Sequence, residues 1–409
     1  MAAIQMTHIT QTFDQAYITD VAQATRQAVL QSGLQLKPGA SIAITAGSRG
    51  VANIACIIKA IADAVKERGG VPFVIPAMGS HGGATAEGQQ ELLAGYGVTE
   101  AFVGAPIRSS MQVVELDSTG LPHRLYMDKH AAQADGVIVC NRVKVHTDFH
   151  GPVESGMLKM CVIGLGKHAQ ALEMHSYGVY GLRELVAPAA RKVLATGKIV
   201  LGVGVAENAY DQTAQIRAAL PPSIEQAEAE LLVWSRAHMP ALPLSDMDIL
   251  IIDRMGKDIS GVGLDTNIIG RMRIPGQPEP DSPRVGMIIV DDLTDASHGN
   301  ALGMGLADFV TQQLRDKIDF SATYENVLTS SFVARGNLPI VCATPAEALR
   351  HALRSCGRQA VEAPRILRIR DTLHLSGIWC SPAALADLPH AHTGASRPLF
   401  TETGALSPW

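Results

Sequence analysis

Short apolar runs rich in β-branched residues alternate with helical patterns along the first 240 residues. This alternation is typical of βαβ units and predicts a largely parallel sheet. The runs that predict strands are Ser41–Ala46, Val71–Pro76, Gly136–Cys140 and Lys198–Val205. Helices are predicted over about 51–67, from about Thr85, over about 182–196 and over about 224–237. The strand ends lead into Gly-rich or His-bearing loops, and ligands of open α/β sheets bind at that edge.

A Pro-rich stretch, 239–245, ends the last of these helices and stiffens the connection that follows. The same alternation then resumes. Strands are predicted at Asp248–Asp253, Arg284–Val290 and Leu338–Cys342, with two more within 365–379, and helices at about Leu302–Leu314 and from Pro345. The last helix has a clear start, because Thr344 can cap it, Pro345 suits its first position and Glu347 completes a capping box. The tail after about Leu388 is predicted to be irregular.

The pattern as a whole predicts an α/β protein of two domains with largely parallel sheets flanked by helices. We expect an N-terminal domain over 1–240 and a C-terminal domain over 241–409, with the active site in the cleft between them. The N-terminal domain would carry the Arg, His and Lys residues of the site, and the C-terminal domain would form the second wall.

Composition narrows the class of protein further. The 409 residues are 47% hydrophobic and carry a net charge of −5, so there is no basic surface to suggest nucleic acid or an anionic membrane as a partner. The six cysteines are scattered without a CxxC pair, which favours a reducing compartment. The N-terminus shows no signal-peptide pattern and no apolar run is long enough to span a membrane, so a cytoplasmic location is expected.

Two strand-end loops carry candidate binding and acid–base groups. In the loop 45–50, Gly47 and Gly50 allow backbone N–H groups to face an anion, and Arg49 can hold a carboxylate with two hydrogen bonds. A plain turn with a solvated arginine is the alternative. In the loop 78–85, three glycines surround His81, whose ordinary pKa suits a general acid or base. A histidine that only caps or packs locally is the alternative there.

The segment after the third strand carries two histidines and a lysine. His146 and His150 are four residues apart and could ligate zinc on one helix face, but the run extends a strand, so a single catalytic histidine is favoured. Lys159 lies between Leu158 and Met160, where an amine either snorkels to the surface or is used covalently. His150 and His168 are expected to be surface residues or to support the site.

In the second domain a polar Gly-rich loop, 256–267, follows the first strand and offers Lys257, Asp265, Thr266 and Asn267. It is predicted to be a lid or a second wall for the substrate. A surface turn is equally compatible with the pattern.

In their order and spacing, these features resemble the nickel-pincer lactate racemases and their homologues that act on other 2-hydroxy acids. The shared features are an Arg loop (Arg49), a His in a Gly/Ser loop (His81), a Lys-Val-His motif (His146) and a lysine followed sixteen residues later by a histidine (Lys159, His175). The resemblance covers most of residues 40–270 and extends to the two-domain layout.

The resemblance implies an isomerase, a racemase or epimerase of 2-hydroxy acids. Lys159 would carry a nickel-pincer nucleotide, a nicotinic-acid-derived group attached through a thioamide, and His175 would be the imidazole ligand of its nickel. His81 and His146 would exchange the substrate hydroxyl proton on opposite faces, while hydride moves reversibly between C2 and the cofactor. Arg49 would bind the substrate carboxylate, and Lys257 the substrate on the other wall. Enzymes that mature the cofactor would be partners; the oligomeric state is left open.

The chain departs from lactate racemases at two places. The segment from His146 to Lys159 is three residues longer than expected, and the loop after Ile259 lacks the expected Gln and Lys. A substrate more polar than lactate is therefore expected. The alternatives are a metal-dependent hydrolase or lyase that uses His81, His146 and His150, and a non-catalytic protein that binds carboxylates.

Overall fold

The computed structural model describes residues 4–48, 50–357 and 362–409. The chain forms two compact units, one of residues 14–239 and the other of residues 1–13 together with 240–409. We call them the N-terminal unit and the C-terminal unit. Strands and helices are numbered in chain order, and both units are α/β.

The N-terminal unit is built on a five-stranded sheet. The strands of this unit are β2 (Ser41–Ala46), β3 (Val71–Pro76), β4 (Val113–Leu116), β5 (Leu125–Asp128), β6 (Gly136–Arg142), β7 (Ile199–Glu207) and β8 (Thr213–Ala219). The sheet order is β3-β2-β6-β7-β8, in which the first four strands are parallel and β8 is antiparallel to β7. β4 and β5 form a separate antiparallel pair. The carboxyl ends of β2, β3, β6 and β7 therefore lie at one edge of the sheet, where the candidate loops begin.

Helices cover both faces of this sheet. They are α1 (Val21–Gln31), α2 (Ile54–Glu67), α3 (Ala86–Gly95), α4 (Glu100–Val103), α5 (Lys129–Gln133), α6 (Met157–Lys159), α7 (Lys167–His175), α8 (Gly178–Tyr180), α9 (Val186–Ala195) and α10 (Ile224–His238), with π-helical turns at Met160–Gly164 and Gly181–Leu185 and 3-10 turns at Gly82–Ala84 and Pro221–Ser223. Alternate strand residues enter two cores. Ile44 and Ile138 pack with α2 on one face, whereas Phe73 and Val139 pack with α6 and α9 on the other.

The C-terminal unit has an eight-stranded mixed sheet. Its strands are β1 (Gln5–Thr10), β9 (Asp246–Met255), β10 (Arg284–Leu293), β11 (Phe309–Thr311), β12 (Ile340–Cys342), β13 (Ile366–Ile369), β14 (Gly377–Cys380) and β15 (His392–Pro398). Its helices are α11 (Thr266–Ile269), α12 (Gln312–Asp316), α13 (Phe320–Ser330), α14 (Pro345–Ser355) and α15 (Pro382–Ala386), with 3-10 turns at Asp295–Ser297, Met304–Leu306 and Val333–Gly336. In the order β12-β11-β10-β9-β13-β14-β1-β15, the strands from β12 to β13 are parallel and the remaining pairs are antiparallel.

The predicted fold class, α/β with largely parallel sheets flanked by helices, is confirmed. The predicted start of α14 is also found: Thr344 accepts a hydrogen bond from the Glu347 N–H. The Glu347 carboxylate, however, reaches the N–H of Ala343 rather than that of Thr344. The cap is therefore reciprocal but shifted by one residue.

Two local predictions are wrong. The stretch Leu302–Leu314 is not one helix but a 3-10 turn, the strand β11 and the helix α12. Gly303 has φ +97°, and Gly305 lies against the backbone of the Val333–Gly336 turn, so this stretch cannot stay helical. The tail after Leu388 is not irregular, because β15 pairs with β1. The N-terminal strand β1, which the sequence placed with 1–240, thus belongs to the sheet of the C-terminal unit.

Candidate functional site

His81 lies in the loop that follows β3, next to the loop that follows β2. The Oγ of Ser48 contacts His81 Nδ1, and the Tyr96 hydroxyl donates to the carbonyl of Ser48. His81 also begins the Gly82–Ala84 turn, and its carbonyl accepts from Gln89 Nε2 at 3.2 Å. Ser48 therefore contacts the imidazole of His81, and Gln89 holds its backbone. Arg49, the predicted carboxylate ligand, lies outside the described residues.

Lys159 and His146 meet, although thirteen residues separate them. The Nζ of Lys159 is 2.6 Å from Nε2 of His146. The other ring nitrogen, Nδ1, accepts the backbone N–H of Asp148 at 3.0 Å, and the ring of Phe149 lies 4.5 Å from the imidazole. His146 is 5% exposed, whereas Lys159 is half-buried. The predicted attachment lysine thus touches one of the predicted acid–base histidines.

Glu154 organises the loop that carries His146. Its buried carboxylate accepts the backbone N–H of His146 at 2.6 Å and that of Gly151 at 3.2 Å. Arg236 on α10 donates to the same carboxylate at 2.8 Å, which offsets its charge. His150 is mostly outside this arrangement, with an exposed ring whose Nδ1 is 3.6 Å from Glu154 Oε1. The longer loop noted in the sequence is therefore an ordered element built around Glu154.

The helical segment that carries Lys159 starts against a buried carboxylate. Glu228 on α10 accepts the backbone N–H groups of Met157 and Leu158, the latter at 2.8 Å. Gly156 makes this approach possible, since a Cβ there would lie 2.4 Å from the Glu228 carboxyl carbon. Burial raises the pKa of Glu228 to about 7, and the two backbone donors only partly oppose that shift. A carboxylate at a helix start suits the positive end of the helix dipole.

The π-helical turn Met160–Gly164 follows Lys159 directly. Such turns insert a residue into a helix and are frequent at functional sites. Two strand-end loops pack on this turn. A Cβ built on Gly47 would lie 3.3 Å from Met160 Cε, and one built on Gly79 would lie 3.3 Å from Ile163 Cγ2. The glycines let the loops of Ser48 and His81 approach the segment of Lys159 closely.

A buried lysine connects several of these elements. The Nζ of Lys167, at the start of α7, donates to the Pro76 carbonyl and to Gln89 Oε1, both at 2.7 Å, and lies 3.8 Å from Asp128 Oδ2. Lys167 has φ +56°, an uncommon conformation for a residue other than glycine. Burial lowers the pKa of Lys167 to about 8 although Asp128 opposes the shift, and burial likewise raises the pKa of Asp128. This network joins the end of β3, the loop of His81 and α7.

His175 is the last residue of α7 and is half-buried. It therefore sits at the other end of the helix that Lys167 begins. His168, which the sequence left without a role, is half-buried with a buried Nδ1 that has no hydrogen-bond partner among the described residues.

The C-terminal unit holds the predicted second-wall residues. The Nζ of Lys257 donates to the carbonyl of Gly261 at 2.6 Å and to Asn326 Oδ1 at 2.7 Å. Asp265 caps α11 by accepting from the N–H of Asn267, and Thr266 is buried. These contacts fasten the loop 256–267 to its own unit.

Among the described residues, no group of three or more His, Cys, Asp or Glu side chains could hold a metal ion. His81, His146 and His150 thus do not form the three-ligand cluster that the hydrolase alternative needs. Within the same described ranges, no helix is long and apolar enough to cross a membrane.

Sequence reasoning missed several residues of this site. Glu154 and Lys167 stood in segments already singled out, but their burial and partners arise only in the fold. Gln89, Asp128, Glu228 and Arg236 carried no motif signal, because each acts across a large sequence separation on a loop or helix end.

Neither a scan against protein-family models nor a search of curated proteins gives a match. Among solved structures, the chain is similar to the lactate racemase apoprotein from Thermoanaerobacterium thermosaccharolyticum, with a TM-score of 0.56 at 14% sequence identity. The similarity covers 90% of this chain and 98% of that chain. At this identity the likeness establishes a lactate racemase-like fold and nothing finer.

Proposed function

We propose that this protein is an isomerase that inverts C2 of a 2-hydroxy acid, as a racemase or epimerase. The observation that carries the proposal is the contact between Lys159 Nζ and His146 Nε2, which are 2.6 Å apart. The loop of His81 packs on the turn that follows Lys159. One amine suited to covalent use and two imidazoles suited to proton exchange are the groups this reaction needs. The fold likeness supports the reaction class.

Two histidines have distinct tasks in this proposal. The two enantiomers of a 2-hydroxy acid present their hydroxyls on opposite sides, so one imidazole takes the hydroxyl proton and the other returns it after inversion. His81, held at Nδ1 by Ser48, and His146, held at Nδ1 by the Asp148 N–H, each have a fixed ring orientation. Arg49 binds the substrate carboxylate, and Lys257 binds the other polar groups of the substrate.

The described residues fit a tethered nickel-pincer nucleotide. The Lys159 amine is half-buried and lies against an imidazole, and His175 offers one imidazole of the kind that nickel accepts. When bound, such a group supplies a hydride acceptor, which avoids a carbanion next to the substrate carboxylate. Lys159 would hold it, and His175 would ligate the nickel.

The substrate is proposed to be more polar than lactate, such as a hydroxylated sugar acid or a dicarboxylic 2-hydroxy acid. This part rests on the polar loop 256–267 and on the longer loop built around Glu154. Lactate as the best substrate in a racemisation panel would refute it.

The decisive experiment is co-expression with cofactor maturation enzymes and nickel, followed by chiral chromatography of a panel of 2-hydroxy acids. Inversion by the wild type, a large mass increment on Lys159 and loss of both in Lys159→Ala are expected. Lys37→Ala, at an exposed lysine, is the matched control and should leave both unchanged. Activity that persists in Lys159→Ala would refute the proposal. A protein that binds carboxylates without converting any of them would support the non-catalytic alternative.

A further inference from the structure

The hydrogen bonds of His146 fix where protons sit in the Lys159–His146 pair. A neutral imidazole has one N–H and one lone pair, whereas a lysine ammonium has three donors and no lone pair. The lone pair on Nδ1 is taken by the backbone N–H of Asp148 at 3.0 Å. The imidazole proton is therefore on Nε2, which faces Lys159 Nζ at 2.6 Å.

The Nε2–H group of His146 faces the Lys159 nitrogen at hydrogen-bond distance, so that nitrogen must offer a lone pair to accept the hydrogen bond. A lysine ammonium would point a second donor at Nε2–H, so Lys159 must be the uncharged amine. The nearby Asp148 carboxylate does not change this, because its Oδ2 is 3.7 Å from Nδ1, too long for a hydrogen bond.

The opposite arrangement places the ammonium on Lys159 and the imidazole proton on Nδ1. It would set Nδ1–H against the Asp148 N–H at 3.0 Å, donor against donor. The loop resists the shift needed to relieve this, because buried Glu154 holds the His146 backbone N–H at 2.6 Å. The backbone of the loop thus selects the uncharged amine.

We propose that His146 keeps Lys159 as an uncharged nucleophile, so that the unmodified protein attaches an activated pyridine carboxyl or thiocarboxyl group to itself. The inference rests on the proposed function for the identity of the group, but not for the reactivity of the amine. The lone pair of Nζ attacks the electrophilic carbon, the N–C bond forms, and the bond to the leaving group breaks with its electron pair. The N–H proton lost from Nζ goes to the departing anion, and an amide or thioamide remains.

The test uses the unmodified full-length protein and the phenyl thioester of pyridine-3-carboxylic acid. Acylation of each lysine is followed at pH 7 by peptide mass mapping, with thiophenol release as the second readout. An ordinary lysine is uncharged in roughly one molecule in 2,500 at pH 7. A lysine that is always uncharged can therefore react up to about a thousandfold faster than an ordinary lysine. We expect its rate to exceed that of exposed Lys37 by about tenfold or more.

The chain supplies a second internal control. Lys167 has a lowered pKa, about 8, but it is fully buried and its amine is bonded to Pro76 and Gln89. Lys167 should stay unmodified, because the thioester cannot reach a buried amine. This control distinguishes the effect of access to the reagent from the effect of the protonation state of the amine. Equal rates at Lys159 and Lys37 would overturn the inference without any variant.

Variants then test the role of His146. His146→Phe removes the imidazole but keeps a ring against Phe149, and it should bring Lys159 down to the rate of Lys37. Asp148→Asn keeps the backbone N–H and should stay near the wild-type rate. An unchanged rate in His146→Phe, or a loss as large in Asp148→Asn, would overturn the hydrogen-bond account. Because the probe reaction needs no nickel, maturation enzyme or 2-hydroxy acid, its failure is distinguishable from failure of the proposed function.

Discussion

The carboxylate of Glu154 accepts the backbone N–H of His146 at 2.6 Å, from a position where its own side chain is fully buried. The same carboxylate accepts from Gly151 and pairs with Arg236, so one side chain joins both ends of the loop to α10. A buried charge is tolerated only when it is paired and hydrogen-bonded, and these partners meet that condition. The position of His146 therefore depends on a residue that need not touch a substrate.

Glu154→Gln should destabilise the N-terminal unit. The amide would replace one acceptor by an NH₂ group, which must then face either the His146 N–H or the donors of Gly151 and Arg236. A donor left against a donor in a buried site costs about 1–3 kcal/mol. Urea unfolding at pH 7 measures this loss.

Glu230→Gln is the matched control, because Glu230, which is on α10, likewise pairs with an arginine, Arg217, but is exposed. It should change the unfolding free energy by less than about 0.5 kcal/mol. Equal stability of Glu154→Gln and the wild type would show that Glu154 does not hold the loop.

Local signals predicted much of the fold. The strands β2, β3 and β6 are apolar, β-branched runs, and the start of α14 follows from Thr344 and Pro345. The failures occur where tertiary contacts override local pattern. The stretch 302–314 contains β11, which exists because it pairs with β10 and β12, and nothing within the stretch shows this.

The candidate site divides in the same way. His146 and Lys159 could be chosen from residue type and spacing, but their 2.6 Å contact could not, because a loop held by Glu154 brings them together. Lys167 stands next to His168, but its burial depends on Gln89 and Asp128, which lie far away in sequence.

Lys167 predicts a pH dependence of stability. Its pKa is about 8 in the folded protein and about 10.4 when unfolded, so between these values the unfolded state binds more protons and stability rises with pH. Relative to Lys167→Met, which carries no proton, the unfolding free energy of the wild type should increase by about 2 kcal/mol from pH 7 to pH 9.5. Urea unfolding of both proteins at the two pH values gives this difference.

Lys37→Met serves as the reference for this comparison, because Lys37 is exposed. The difference in unfolding free energy between this variant and the wild type should not vary with pH. A pH-independent difference for Lys167→Met would mean that burial does not lower the pKa of Lys167 in the folded protein.

Glu228 predicts a dependence of the opposite sign. Its pKa of about 7 lies above the ordinary value of 4.5, so the folded state favours the protonated carboxyl. The contribution of this group to the unfolding free energy is therefore fully present below pH 4.5 and is lost as pH rises through 7. Glu228→Gln keeps an acceptor for the N–H groups of Met157 and Leu158 and cannot ionise. The wild type should therefore lose about 2–3 kcal/mol relative to Glu228→Gln between pH 5 and pH 8.

Urea unfolding at pH 5 and pH 8 measures this second difference. Glu225→Gln, at a more exposed position of the same helix, should show no comparable loss. If the difference between the wild type and Glu228→Gln stayed constant between pH 5 and pH 8, the carboxylate would be ionised at the helix start throughout that range.

Ser48→Ala tests whether the contact of Ser48 Oγ with His81 Nδ1 orients the imidazole. The variant should fold normally, because the Tyr96 hydroxyl bonds to the Ser48 carbonyl, which alanine retains. In the cofactor-loaded protein we expect kcat to fall by about tenfold with little change in KM, since Ser48 acts on the acid–base group and not on the substrate. Steady-state kinetics with the 2-hydroxy acid that the panel identifies gives both constants, and Ser80→Ala in the neighbouring loop is the control. A rise in KM with kcat unchanged would instead assign Ser48 to substrate binding.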